Sequence, residues 1–134
     1  MNKIIDVLNK LNNKAIKKNE VPISALIIYN DEIIAKSYNK TNKSNNILDH
    51  AEIICIKKAS KKLKNWRLNN CILYVTLEPC DMCKEIIKKS RIKEVYYFIK
   101  QNNNNTEKNP IYNYIENNNM SDELSDYFKN KRRY

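Results

Sequence analysis

His50 is the only histidine in this chain of 134 residues, and Glu52 follows it in the run Asp49-His50-Ala51-Glu52. Thirty positions on comes Pro79-Cys80-Asp81-Met82-Cys83. One imidazole and two thiols are donor types that zinc accepts in a tetrahedral site, and three protein ligands leave a fourth position open for water. That is the pattern of a catalytic site rather than a structural one. Cys80 and Cys83 are spaced i, i+3, so in the first turn of a helix both sulfurs share a face. The unpaired N–H groups and the dipole of such a turn favour thiolate over thiol. Two thiolates balance the charge of the ion, so water in the open position can still ionise near neutral pH. Glu52 is then the natural proton carrier, from that water to a ring nitrogen and on to a departing amine. The chemistry implied is hydrolytic deamination of an amino-substituted base.

Each of these features has a plainer reading when taken alone. A CxxC can be half of a structural zinc site. A single histidine more often belongs to a surface or a core, and a glutamate at a helix start complements the dipole. Together, H-x-E followed by P-C-x-x-C is the signature of zinc-dependent base deaminases. Cys55 and Cys71 lie in apolar stretches and read as core thiols.

The surrounding pattern supplies the elements that must position these groups. Ile4, Ile5, Val7, Leu8, Leu11, Ala15 and Ile16 recur at helical spacing, and Val21-Pro22 ends that helix. Residues 23–29 and 32–38 read as two strands joined at Asn30-Asp31. Residues 39–48 read as polar loop, with Asp49 capping a helix over 50–64. A strand over 71–77 leads to a helix over 80–90 that starts at Pro79. Strands over 94–99 and 111–115 follow, separated by a polar, asparagine-rich loop, and Ser121 caps a last helix that ends in basic residues. Strands alternating with helices predict an α/β fold: a three-layer α-β-α arrangement around a central mixed sheet of about five strands. The length fits one domain spanning 1–134.

Composition narrows the classes further. The net charge is +10 and there is no glycine. Phosphate loops and dinucleotide fingerprints need glycine where backbone meets phosphate, so both are excluded. No apolar run reaches the length of a membrane span, and the first residues do not resemble a signal or transit segment. A cytoplasmic location is expected, where cysteines serve as metal ligands or core residues rather than disulfides. The positive charge invites nucleic acid. Yet of the 25 basic residues only Arg67, Arg91, Arg132 and Arg133 are arginine. The excess of lysine, asparagine and isoleucine, like the missing glycine, is what an A/T-rich coding bias produces. Without glycine, the turns are expected to use asparagine, at Asn30, Asn69, Asn70 and the loop over 102–105. Lysines 57, 58, 61, 62 and 64 read as a solvated helix face, and Trp66 and Arg67 as packing after that helix. The tail, which combines arginine with aromatic residues against the bias, reads as an RNA contact.

The chain resembles bacterial tRNA-specific adenosine deaminases of the TadA type. The resemblance rests on Val21-Pro22-Ile23-Ser24-Ala25, Tyr38-Asn39, Asp49-His50-Ala51-Glu52-Ile53, and the long match from Leu73 through Glu78-Pro79-Cys80 to Cys83. It is extended by Ser90-Arg91-Ile92 and Ser125-Asp126-Tyr127-Phe128 with its basic end. Ser24 stands where that family usually has glycine, and Lys100-Gln101-Asn102 replaces a loop that usually carries an acidic residue and glycines. The resemblance implies one Zn2+ per subunit on His50, Cys80 and Cys83, and Glu52 as catalytic residue. It implies a homodimer acting on the wobble adenosine of a tRNA anticodon stem-loop, that of an arginine tRNA, to give inosine. Asn39, Ala51, Ile23 and Leu77 would bind the base, with the Ala51 N–H and Glu52 reading the purine. Phe128, Lys129, Lys131 and Arg132 would meet the anticodon loop. The same zinc chemistry in a deaminase of a free nucleobase or nucleotide, of cytosine or guanine type, is the alternative. A non-catalytic RNA-binding subunit is a third reading, against which the presence of Glu52 argues.

Overall fold

The computed structural model of the protein describes residues 1–101 and 109–132. Their order is α1 (Asn2–Lys17), β1 (Ser24–Tyr29), β2 (Glu32–Tyr38), α2 (Thr41–Ser44), α3 (Ala51–Leu63), β3 (Cys71–Leu77), α4 (Asp81–Lys89), β4 (Glu94–Ile99), β5 (Ile111–Tyr114) and α5 (Asn118–Arg132). The strands form one mixed sheet in the order β2-β1-β3-β4-β5. β1 runs antiparallel to β2 and β3, whereas the β3–β4 and β4–β5 pairs are parallel. Residues 102–108, most of the loop expected between β4 and β5, lie outside the described residues.

The central strands are apolar at nearly every position because both of their faces are covered. Successive side chains alternate between two cores. Ala25, Ile27, Leu73, Val75 and Val95 face α3 and α4 and pack with Ala51, Cys55, Ala59, Cys83 and Ile87. Leu26, Tyr74 and Phe98 face the other way and pack with Leu8 of α1 and Met120 of α5. Cys55 and Cys71 are both wholly buried in the first core. The Cys55 thiol donates to the Ala25 carbonyl at 3.2 Å, and burial pushes it well above the usual thiol range. Ser24 is also fully buried, and its hydroxyl donates to the Leu8 carbonyl at 3.0 Å, tying β1 to α1.

Three local expectations are corrected. The stretch read as loop over 39–48 contains the one-turn helix α2, because the buried Glu20 carboxylate accepts the Asn42 and Lys43 N–H groups at 3.0 and 2.8 Å and so organises its first turn. His50, not Asp49, is the N-cap of α3, and Cys80 is the N-cap of α4. α5 begins at Asn118 rather than at Ser121, where Asn117 Oδ1 accepts the Met120 N–H at 3.1 Å. Trp66 and Arg67 do pack after α3, but on each other, with the Arg67 guanidinium 4.4 Å from the ring centre of a Trp66 that stays exposed.

Left-handed backbone falls partly where asparagine was expected to replace glycine. Asn30 and Asp31, at φ 49° and 63°, close the β1–β2 hairpin with the mirror-image turn that matches strand twist. Asn69 and Asn70 are not left-handed. Asn19, Asn45, Lys64 and Arg91 are instead, at φ 60°, 52°, 53° and 68°.

Candidate active site

The N-termini of α3 and α4 meet beyond the end of β3, and the residues at those ends form a single cluster. His50 and Cys80 occupy N-cap positions yet neither side chain caps its helix. Both turn toward each other instead. His50 Nδ1 lies 3.4 Å from Cys83 Sγ and 3.9 Å from Cys80 Sγ. The three donor atoms fall within 4.8 Å of one another, the one such group of three among the described residues.

The donor set can be tested against an ion. Zinc bonds of about 2.0–2.1 Å to nitrogen and about 2.3 Å to sulfur, at a tetrahedral angle, require N···S separations of roughly 3.6 Å. The two observed separations bracket that value. Charge points the same way. Burial pushes the Cys83 thiol far above its ordinary range, and negative charge on Glu52 and Cys80 adds to the shift. A wholly buried thiol beside a carboxylate and a second thiol is poorly placed to ionise unless a cation sits between them. The residues present therefore fit a divalent, thiophilic ion.

Glu52 lies in the first turn of α3, buried at 4% exposure. Burial raises its carboxyl above the usual range, while its own backbone N–H, the His50 charge and a hydrogen bond with Cys83 act in the opposite direction. It lines a small cavity of about 70 Å³ together with Ile23, Asn39, His50, Leu77, Glu78, Cys80 and Gln101. Ile23 and Leu77 form apolar walls, and Asn39 is held there by its N–H bond to the Ile23 carbonyl at 2.9 Å. Ala51 is fully buried at the first position of α3 and does not itself line the cavity.

The residues expected on RNA stand elsewhere. Phe128 and Lys129 are exposed on α5, which packs through Met120 on the sheet face opposite α3 and α4. Lys131 and Arg132 end the same helix. A larger open groove of about 590 Å³ runs between α1 and α5, lined by Ile16, Asn19, Asp122, Glu123, Asp126 and Tyr127 among others. It holds no histidine or cysteine, so the chemistry belongs to the smaller cavity.

Sequence reasoning gave no role to Glu78, Lys84 or Gln101, although Glu78 lies in the matched stretch and Gln101 in the loop that departs from the family. Glu78 is 1% exposed, pairs with the Lys84 ammonium at 3.3 Å, and accepts the Gln101 N–H at 3.0 Å. Only the charged residue in an otherwise apolar strand end, between Leu77 and Pro79, hinted at it.

Comparison with known proteins agrees with this geometry. Residues 2–132 match the family described as MafB19-like deaminase. The tRNA-specific adenosine deaminase of Buchnera aphidicola subsp. Schizaphis graminum is 40% identical over 126 residues, which cover 84% of this chain and 83% of that one. The Rickettsia bellii protein of the same name is 48% identical over 62% of this chain, and the match spans 59% of its own length. A solved structure from studies of A-to-I editing by tRNA A34 deaminases superposes with a TM-score of 0.76 at 30% identity, covering 83% of this chain and 95% of that one. Bacillus subtilis guanine deaminase superposes with a TM-score of 0.65 at 26% identity over 96% of this chain and 93% of its own. With the cluster of His50, Cys80, Cys83 and Glu52 built on this fold, the chain belongs to the MafB19-like deaminase family, within its tRNA-specific adenosine deaminase type.

Proposed function

We propose that this chain acts as a single deaminase domain that converts adenosine to inosine at the wobble position of a tRNA anticodon, as a homodimer in the cytoplasm. The observation that carries the reading is the convergence of His50, Cys80 and Cys83 beside a buried Glu52, in a chain 40% identical to a tRNA-specific adenosine deaminase over 84% of its length. No described helix is long and apolar enough to cross a membrane.

His50 Nδ1, Cys80 Sγ and Cys83 Sγ would hold one Zn2+. When bound, the ion supplies the Lewis acidity that makes water a nucleophile near neutral pH. The chain's own residues do the rest. Burial raises the Glu52 carboxyl above its usual range, which makes its carboxylate a stronger proton acceptor. Glu52 can take a proton from the attacking water and give it to the ring nitrogen beside the amino-bearing carbon, then carry the proton of the added hydroxyl to the leaving amine. Ile23 and Leu77 exclude water from the base, and the Asn39 amide orients it. The Ala51 N–H, at the uncapped start of α3, would be the backbone donor that reads the purine. Phe128, Lys129, Lys131 and Arg132 would meet the anticodon loop, by stacking and by charge.

The near full-length superposition on guanine deaminase keeps one second reading in play, a deaminase of a free base. One assay separates them. The zinc-loaded protein is incubated with an arginine tRNA carrying A34, and separately with free guanine, cytosine and adenosine. Conversion of A34, read as guanosine after reverse transcription, is the expected result. Turnover of a free base with unmodified A34 would replace the proposal with the second reading.

A further inference from the structure

The β3–β4 ladder ends at the Leu77↔Ile99 pair, and the cavity opens just beyond it. Strand ends that part in this way leave backbone groups in need of partners. Here one residue supplies them. The Glu78 N–H reaches the Ile99 carbonyl at 2.8 Å. Its Oε1 accepts the Gln101 N–H at 3.0 Å, and its carbonyl accepts Gln101 Nε2 at 2.9 Å. Its Oε2 receives Lys84 Nζ at 3.3 Å. Lys84 belongs to the first turn of α4, where its N–H bonds the carbonyl of Cys80 at 2.9 Å, and its ammonium also lies 5.7 Å from the centre of the Tyr112 ring on β5. Glu78 and Lys84 are 1% and 7% exposed.

We propose that Glu78, neutralised by Lys84, is a positioning residue that holds the two lips of the reaction cavity, fixing the Pro79–Cys80 turn against the end of β4. Its hydrogen bonds go to Lys84, Gln101 and Ile99 and not to the three donor side chains. Its role rests on its place in the chain: Leu77, a wall of the cavity, precedes it, and Cys80 follows two residues later. The backbone N–H of Gln101, on the opposite lip, has its acceptor in the Glu78 side chain. A loosening of this link moves a donor sulfur and a cavity wall together. Misplacement of about 1 Å in such a constellation can cost on the order of 100-fold in rate. Lys84 is present because a buried carboxylate without a counter-charge is strongly destabilising.

The inference rests on the deaminase reading, so its test includes a measurement that needs no substrate. Wild type, Glu78→Ala, Lys84→Met and the double variant Glu78→Gln/Lys84→Met are prepared with zinc for kinetics and with Co2+ for visible absorption. In Glu78→Ala and Lys84→Met, kcat is expected to fall by about 10- to 100-fold with KM little changed, and the cobalt bands to shift. The double variant removes both charges but keeps an acceptor for the Gln101 N–H. It is expected to regain native cobalt bands and most of kcat. Native kcat and native bands in Glu78→Ala, or a double variant no better than Glu78→Ala, would overturn the proposal. So would failure of every variant to fold, which would give the link a role in folding alone. A wild-type protein with no deaminase activity would refute the function while the cobalt spectra still judged the link.

Discussion

Burial is what suits Glu52 to carry a proton. Desolvation raises this carboxyl above its usual range, which makes it a better acceptor for a water proton than an exposed glutamate, while a hydrogen bond links it to Cys83. Glu52→Gln keeps the shape and removes the group that takes and gives the proton. Deamination of A34 should fall by about 10²- to 10⁴-fold, with zinc content by metal analysis unchanged. Loss of zinc in that variant would make Glu52 part of the donor set, and retained activity would end its role as proton carrier. The residues behind this prediction were legible in the sequence because metal chemistry restricts residue type and spacing so tightly. Glu78, Lys84 and Gln101 were not, since nothing about a glutamate and a glutamine 23 positions apart says that they meet. Their significance comes from where two strands part, which is a property of the fold.

Elements were legible to the extent that one face, or both, had to be apolar. β1, β3 and β4 read as strands because both sides are buried, and α1 because its apolar residues recur at helical spacing. α2 was missed because its first turn is organised by Glu20, 22 residues from the nearer of the two N–H groups it accepts. Left-handed positions were half legible. Asparagine tolerates that geometry and marked Asn30, but Lys64 ends α3 at φ 53° with no such excuse. Lys64→Gly should therefore stabilise the protein by about 1 kcal/mol, a rise of a few degrees in the thermal midpoint. Asn30→Gly should gain less. Equal gains would mean that the strain is not what Lys64 contributes. α5 offers a pH test. Glu123 Oε1 is shielded from solvent and accepts no hydrogen bond among the described residues, and burial raises its carboxyl. With the folded value above the unfolded one, the ionised group costs stability at neutral pH, and the cost disappears as pH falls below the unfolded value near 4.5. Glu123→Gln should raise the melting temperature at pH 7 and lose that advantage near pH 4. An advantage that is constant with pH would point to the amide's own hydrogen bonds instead.

At the scale of the whole molecule, the question is which of the 25 basic residues matter to RNA, given a net charge of +10. Lysine alone is weak evidence in a chain that also lacks glycine, because one coding bias explains both. Position discriminates better than count. Lys57, Lys61 and Lys62 project from the outer face of α3, and Lys58 is tied to the Lys36 carbonyl at 3.0 Å. These residues solvate a helix whose other face is core. Lys129, Lys131 and Arg132 fall at the end of α5, and Phe128 just before them is exposed, so charge and a residue type that stacks on bases fall together in the sequence. The two groups make opposite predictions about salt. Each phosphate neutralised by a protein cation contributes about 0.7–0.9 to the fall of log affinity with log salt. Replacing Lys129, Lys131 and Arg132 with alanine should thus flatten the slope for tRNA by about 2 and weaken binding to all tRNAs alike. Replacing Lys57, Lys61 and Lys62 removes the same charge and should leave the slope nearly unchanged. If the two triple variants flatten it equally, RNA senses only the net charge of the protein, and α5 is not its contact.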